Sequence, residues 1–113
     1  MNEREQQIAE ELAAATRART HVDAIQHEIH EINVELSGLF QLQRTLRGHL
    51  AQTTDPAERA RLTAEIDSAG GRSNDISGEM KEAHNEIAEL TNLAELHEAK
   101  ARQLQESVTK TDH

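Results

Sequence analysis

The densest run of residues able to do chemistry is His27-Glu28-Ile29-His30-Glu31, in a chain with seven histidines and no cysteine. On a helix, spacings of three and four place His27, His30 and Glu31 on one outward face, an imidazole and carboxylate set that suits a divalent ion. The spacing departs from the helical metal sites it would have to match. A zinc-protease helix needs histidines four apart with Glu after the first, and a di-iron bundle places Glu three residues before an inward His. Neither pattern occurs in this sequence, so the expectation is a solvated face with no metal. No nucleophile beside a base, glycine-rich phosphate loop or paired carboxylates in a cleft can be found either, and two helices without a pocket do not exclude water from a reaction. The sequence therefore predicts no catalytic residue, no cofactor and no enzyme.

The element carrying these histidines is a helix by composition and by period. Phe40 is the single aromatic among 113 residues, and 29% of the chain is charged. A thick globular core is not expected without large aromatic side chains, whereas abundant Ala, Leu, Glu, Gln and Arg favour long helices. With Ile8 as position a of a heptad, a holds Ile8, Ala15, Val22, Ile29, Leu36, Gln43 and Leu50. Position d then holds Glu11, Ala18, Ile25, Ile32, Leu39, Leu46 and Thr53. In the second half a takes Arg59, Ile66, Ser73, Met80, Ile87, Ala94, Ala101 and Val108, and d takes Leu62, Ala69, Ile76, Ala83, Leu90, His97 and Leu104. The phase does not slip within either half, as an antiparallel coiled coil requires. His97, Gln43 and Ser73 read as polar residues that set register in this seam at some cost in stability.

Between the halves, Asp55 reads as a helix N-cap, Pro56 as the first helical residue and Glu58 as the third member of a capping box. The sequence predicts one domain over 1–113, with a helix over about 3–53, a turn at 53–56 and a second helix over about 56–110. The fold class is all-α: two long helices in an antiparallel coiled-coil hairpin, completed by oligomerisation into a four-helix-type bundle. The stretch Ser68-Ala69-Gly70-Gly71-Arg72-Ser73-Asn74-Asp75 has the composition of a loop. The heptad phase runs through it, which favours a continuous helix, weakened or kinked at 70–75, over a break. Folding the chain at residue 54 sets Gly38 opposite Gly71, so Gly38, Gly70 and Gly71 are expected to form a hinge or a close approach of backbones.

A single a/d seam rich in alanine buries little area, and several larger apolar residues fall off it. Leu12, Phe40, Leu42, Leu93 and Leu96 are expected to form a second face that takes another protein, with a homodimer favoured. Val34 also lies off the seam. The net charge of −9 concentrates where residues 20–43 meet 66–89, while Arg44, Arg47, Arg59 and Arg61 leave the turn end slightly basic. Such a field repels nucleic acid, and four arginines without aromatic companions do not make a nucleic-acid site. His21, His27 and His30 lie in the acidic band, where protonation would relieve repulsion and could make assembly sensitive to pH. No uninterrupted apolar stretch suits a membrane span, the residues from Met1 to Gln7 lack the apolar core of a secretory signal, and a cytoplasmic location is the expectation.

In size and hairpin shape the chain resembles the small WXG100-type proteins of type VII secretion. Their Trp-x-Gly lies between the helices. The nearest match here is Leu46-Arg47-Gly48, inside the first helix and without Trp, and the chain has no Tyr for a tyrosine-based export signal. The functional expectation is a non-enzymatic coiled-coil interaction module, a small structural, assembly or adaptor component acting as an oligomer. Alternatives are a secretion-type or chaperone-like hairpin that pairs with another chain, which the resemblance implies, and an acidic inhibitor of a basic protein.

Overall fold

The structure, a computed structural model, describes residues 2–111. Helix α1 runs from Glu3 to Gln52 and helix α2 from Pro56 to Thr111, and the described residues contain no strand. The chain is an all-α helical hairpin. Asn2 starts α1: its Oδ1 accepts from the Glu5 backbone N–H at 2.8 Å, and Glu3 and Glu5 place negative charge in the first turn. Both features suit the positive end of the helix dipole. Asn2 was not singled out as a cap in the sequence.

The turn is held from both sides. Asp55 Oδ2 accepts from the Glu58 N–H at 3.3 Å, and Asp55 O accepts from the Arg59 N–H at 2.9 Å, so α2 begins at Pro56 with a capped first turn. The box is only half made. The Glu58 carboxylate bonds to Arg61 instead of reaching back, and that hydrogen bond holds its carboxyl below the ordinary range. On the other side, Arg59 occupies position a yet is exposed. Its Nη1 donates to Leu50 O and to Thr53 O, each at 2.8 Å. The last carbonyls of α1 have no helical partner of their own, and a cation at that end also meets the negative pole of the helix dipole.

Packing divides the chain into two units, Met1–His27 with His84–His113 and Glu28–Ala83. In the second, which contains the turn, the helices run antiparallel: Glu35 pairs with Arg72 at 3.1 Å, and Gln43 Nε2 donates to Ile66 O at 3.3 Å. Leu46, Leu62, Ile76, Ala69 and Ala83 are buried here, and Leu62 and Ile76 fully so. In the first unit Glu11 meets His97 and His21 meets Glu86, again antiparallel. Its buried apolar residues are Ala15, Ala18, Ala94, Ala101 and Ile25. Along α1 every a and d position is buried or half-buried, and along α2 Arg59 is the one exposed seam residue.

The glycine-rich stretch is unbroken α-helix from Ser68 to Asp75, with no glycine at positive φ. Seam contacts outweigh local composition there. Ala69 and Ile76 are buried, and buried Ser73 satisfies its own hydroxyl by donating to Ala69 O at 3.0 Å. The expected close approach of Gly38 and Gly71 does not occur: a Cβ on either would meet nothing within 4 Å. They fall at positions c and f, outside the seam. Gly70 alone is pressed, because a Cβ there would lie 3.1 Å from Gln43 Nε2.

Two outcomes follow for stability. Gly71→Ala should raise unfolding free energy by about 1 kcal/mol through helix propensity alone, whereas Gly70→Ala should gain less because it displaces the Gln43 amide; urea titration of both variants measures the difference. Arg59→Ala should cost about 1 kcal/mol by removing the side-chain donor to the Thr53 carbonyl and leaving Leu50 O with only the Thr53 N–H at 3.4 Å, and an unchanged denaturation midpoint would show that the bridge contributes nothing.

Candidate interaction surface

A helix in an a/d seam has two flanks. Heptad geometry puts d, g and c on one side and a, e and b on the other, with f outermost. In an antiparallel pair, e of one helix runs beside e of the other, and g beside g. The ion pairs follow this scheme. Arg19 and Glu98, both at e, form a two-pronged bond, Nη2 to Oε1 at 2.6 Å and Nε to Oε2 at 3.1 Å. This mutual hydrogen bond, with Coulomb attraction added, holds the Glu98 carboxyl below its ordinary range and pushes Arg19 up. A depressed carboxyl stabilises the folded state above the unfolded carboxylate range, and that contribution fades as pH falls through the lowered value. The pair is exposed, so solvent screens it heavily. At g, His21 Nε2 stands 3.7 Å from Glu86 Oε1, and Arg72 Nη2 stands 3.1 Å from Glu35 Oε1.

The off-seam apolar residues are exposed: Leu12 43%, Phe40 54%, Leu42 47%, Leu93 44%, Leu96 60% and Val34 61%. They do not gather into the single second face that their sequence positions suggested. In the first unit Leu12, at e, sits on the flank of the Arg19–Glu98 pair, Leu96 lines a groove with that same pair, and Leu93 at g belongs to the other flank. In the second unit Phe40 at e and Leu42 at g are likewise divided, and Val34 at f points outward. The periodicity places each residue on its own helix. Only the antiparallel pairing decides which flank it shares with the opposite helix.

The first unit's d/g/c flank has a relief of its own. Two shallow, open grooves follow one another along it, lined by Gln7, Glu10, Glu11, Lys100, Gln103 and Leu104 and then by Ala14, Arg17, Ala18, His21, Leu90, Leu93 and His97. The floor is low because Ala15, Ala18 and Ala94, with Leu90 packed against them, form the local core. Ala14, Arg17 and Lys100 did not stand out in the sequence. Reading the c and g positions of both halves together, after pairing them antiparallel, would have found them.

The seam residues Ile8, Val22, Ile87, Leu90, Leu104 and Val108 of the first unit are half-buried, as are Ile29, Ile32, Leu36, Leu39, Leu50, Ile66 and Met80 of the second. Polar seam residues are satisfied, with no buried side-chain polar atom lacking a partner among the described residues. His97 and Glu11, both at d, meet at 2.5 Å from Nδ1 to Oε2. With an ionised carboxylate as acceptor, this contact requires the proton on Nδ1. No three His, Asp or Glu side chains among the described residues are grouped to hold an ion, and His27, His30 and Glu31 are exposed.

The Glu11–His97 contact separates stability from pairing. Glu11→Ala should cost about 1–3 kcal/mol, since His97 is left half-buried without its acceptor. Replacing both partners with leucine should be neutral or stabilising. A double-mutant cycle in urea gives the coupling, and purely additive single losses would mean that the two side chains do not act as a pair.

No protein-family model matches the chain, and no curated protein or solved structure does either.

Proposed function

We propose that the chain is a coiled-coil protein–protein interaction module, a small structural, assembly or adaptor component that works as an oligomer and through its surfaces rather than by catalysis. The observation that carries this reading is the mismatch between what the seam buries and what the flanks expose. Alanines dominate the buried set of the first unit, and Leu62 and Ile76 are the large side chains fully buried in the second. A buried Leu or Ile contributes about 1.5–3 kcal/mol, and a lone methyl about 0.8. Meanwhile five leucine or phenylalanine side chains remain 43% to 60% exposed. A further helix pair on a flank would bury those residues and thicken a core that is thin in the first unit.

The surface chemistry supports a protein partner over a nucleic acid. The net charge is −9, and exposed acids outnumber bases in both units, a field that repels phosphate backbones. No helix among the described residues is long and apolar enough to cross a membrane. The grooves are open to solvent, and the half-buried Glu11 and His97 that line them are bonded to each other, which suits docking better than chemistry.

If assembly completes the core, stability depends on protein concentration by mass action. The thermal midpoint should then rise as concentration increases from low to high micromolar, with light scattering reporting a mass above the 12.6 kDa of one chain. A concentration-independent midpoint with a 12.6 kDa species throughout would remove the oligomer reading.

A further inference from the structure

We propose that the d/g/c flank of the first unit docks a second copy of this chain, about a two-fold axis running along the helices of that unit. This rests on the oligomeric reading above and names the surface that carries it. The Glu11–His97 and His21–Glu86 contacts, at 2.5 Å and 3.7 Å, fix how the two helices of the unit align. Between those contacts Ala14 stands level with Leu93. To one side Lys100 lies about 4 Å along the helix from the level of Glu10, within reach of its long side chain, and to the other Arg17 stands near the level of Glu89.

At each of these levels the two helices carry opposite characters. Small Ala14 answers large Leu93, acidic Glu10 answers basic Lys100, and basic Arg17 answers acidic Glu89. None of the four charged residues forms an ion pair with another described residue of the chain. Position c is turned well away from the neighbouring helix, so Glu10, Arg17 and Glu89 project along the flank instead of across the seam.

A two-fold axis parallel to the helices lays α1 of one copy over α2 of the other, antiparallel and at the same level. Leu93, 44% exposed, then fits the low floor left by alanine in the partner. Lys100 meets Glu10, and Arg17 meets Glu89. Symmetry makes each contact twice. The opposite flank of this unit carries Leu12 and a groove lined in part by Leu96 and Arg102, and there Arg19 and Glu98 already satisfy each other. Charge complementarity at neighbouring levels thus makes a second copy the occupant of this flank, because the surface supplies both members of each pair.

Sedimentation velocity on the full chain, over a range of micromolar concentrations, tests the assignment. The wild type should sediment as a dimer, and Leu93→Glu as a monomer of unchanged helical content, since the side chain is exposed. Arg17→Glu should raise the dimer dissociation constant roughly tenfold, because the repulsion occurs at two symmetric places. Combining it with Glu89→Arg should restore the wild-type value by reversing the pair. If Leu93→Glu fails to fold, the charge reversal decides the matter alone. A wild-type dimer that persists in Leu93→Glu, or a double variant no tighter than Arg17→Glu, overturns this surface while leaving the oligomeric reading in place. A wild type that stays monomeric overturns both.

Discussion

The pairing of the two helices depends on a seam that recurs each 3.5 residues and admits only two positions per heptad. A helix with that repeat keeps a and d toward its partner and turns the other five positions toward solvent. Burial is therefore rationed by position, and residue identity decides how much each position contributes. The two units use the same frame differently. Leu46, Leu62 and Ile76 fill the seam of the unit that holds the turn, whereas in the other the buried residues are Ala15, Ala18, Ala94 and Ala101 with Ile25 as the one large side chain.

The seam also tolerates polar residues, each by a separate device. Ser73 turns its hydroxyl back onto Ala69 O and needs nothing from α1. Gln43 reaches across to Ile66 O, and the missing side chain at Gly70 leaves room for its amide. Glu11 and His97 serve each other. The first device is indifferent to alignment. The other two hold only when specific residues face one another, so they penalise a slipped or reversed pairing more than they stabilise the correct one.

Much of this was legible from spacing. The unbroken phase from Ile66 through Ala69 and Ser73 to Ile76 and Met80 argued for a helix where Gly70-Gly71 and Asn74-Asp75 argued for a loop, and phase prevailed because it reports on the partner helix while composition reports only on the local chain. Asp55-Pro56 marked the turn, since an N-cap and a first-turn proline have few other uses together. What could not be read was where long side chains end. Arg59 has a seam letter but leaves the seam to bond Leu50 O and Thr53 O, and Glu58 turns to Arg61 rather than completing its box. The flanks were hidden for another reason. Positions e and g look alike on one helix, and they separate into opposite surfaces only when a second helix is set antiparallel beside it. The supposed meeting of Gly38 and Gly71 failed because c and f residues at one level still lie on the outside.

The Arg59 bridge bears on the order in which the molecule can be made. It links residues six and nine apart in sequence, whereas the Glu11–His97 contact links residues 86 apart. Joining distant segments costs more chain entropy than joining near ones, and the cost rises with the logarithm of the loop. Contacts beside the turn convert the later closures from searches between remote segments into short extensions of a pair already aligned. The unit that contains the turn also holds the fully buried Leu62 and Ile76, so the cheapest closure coincides with the best-filled seam. Loop entropy therefore favours closure that starts beside residues 50 to 62, and it makes the alanine-lined unit the costlier one to close.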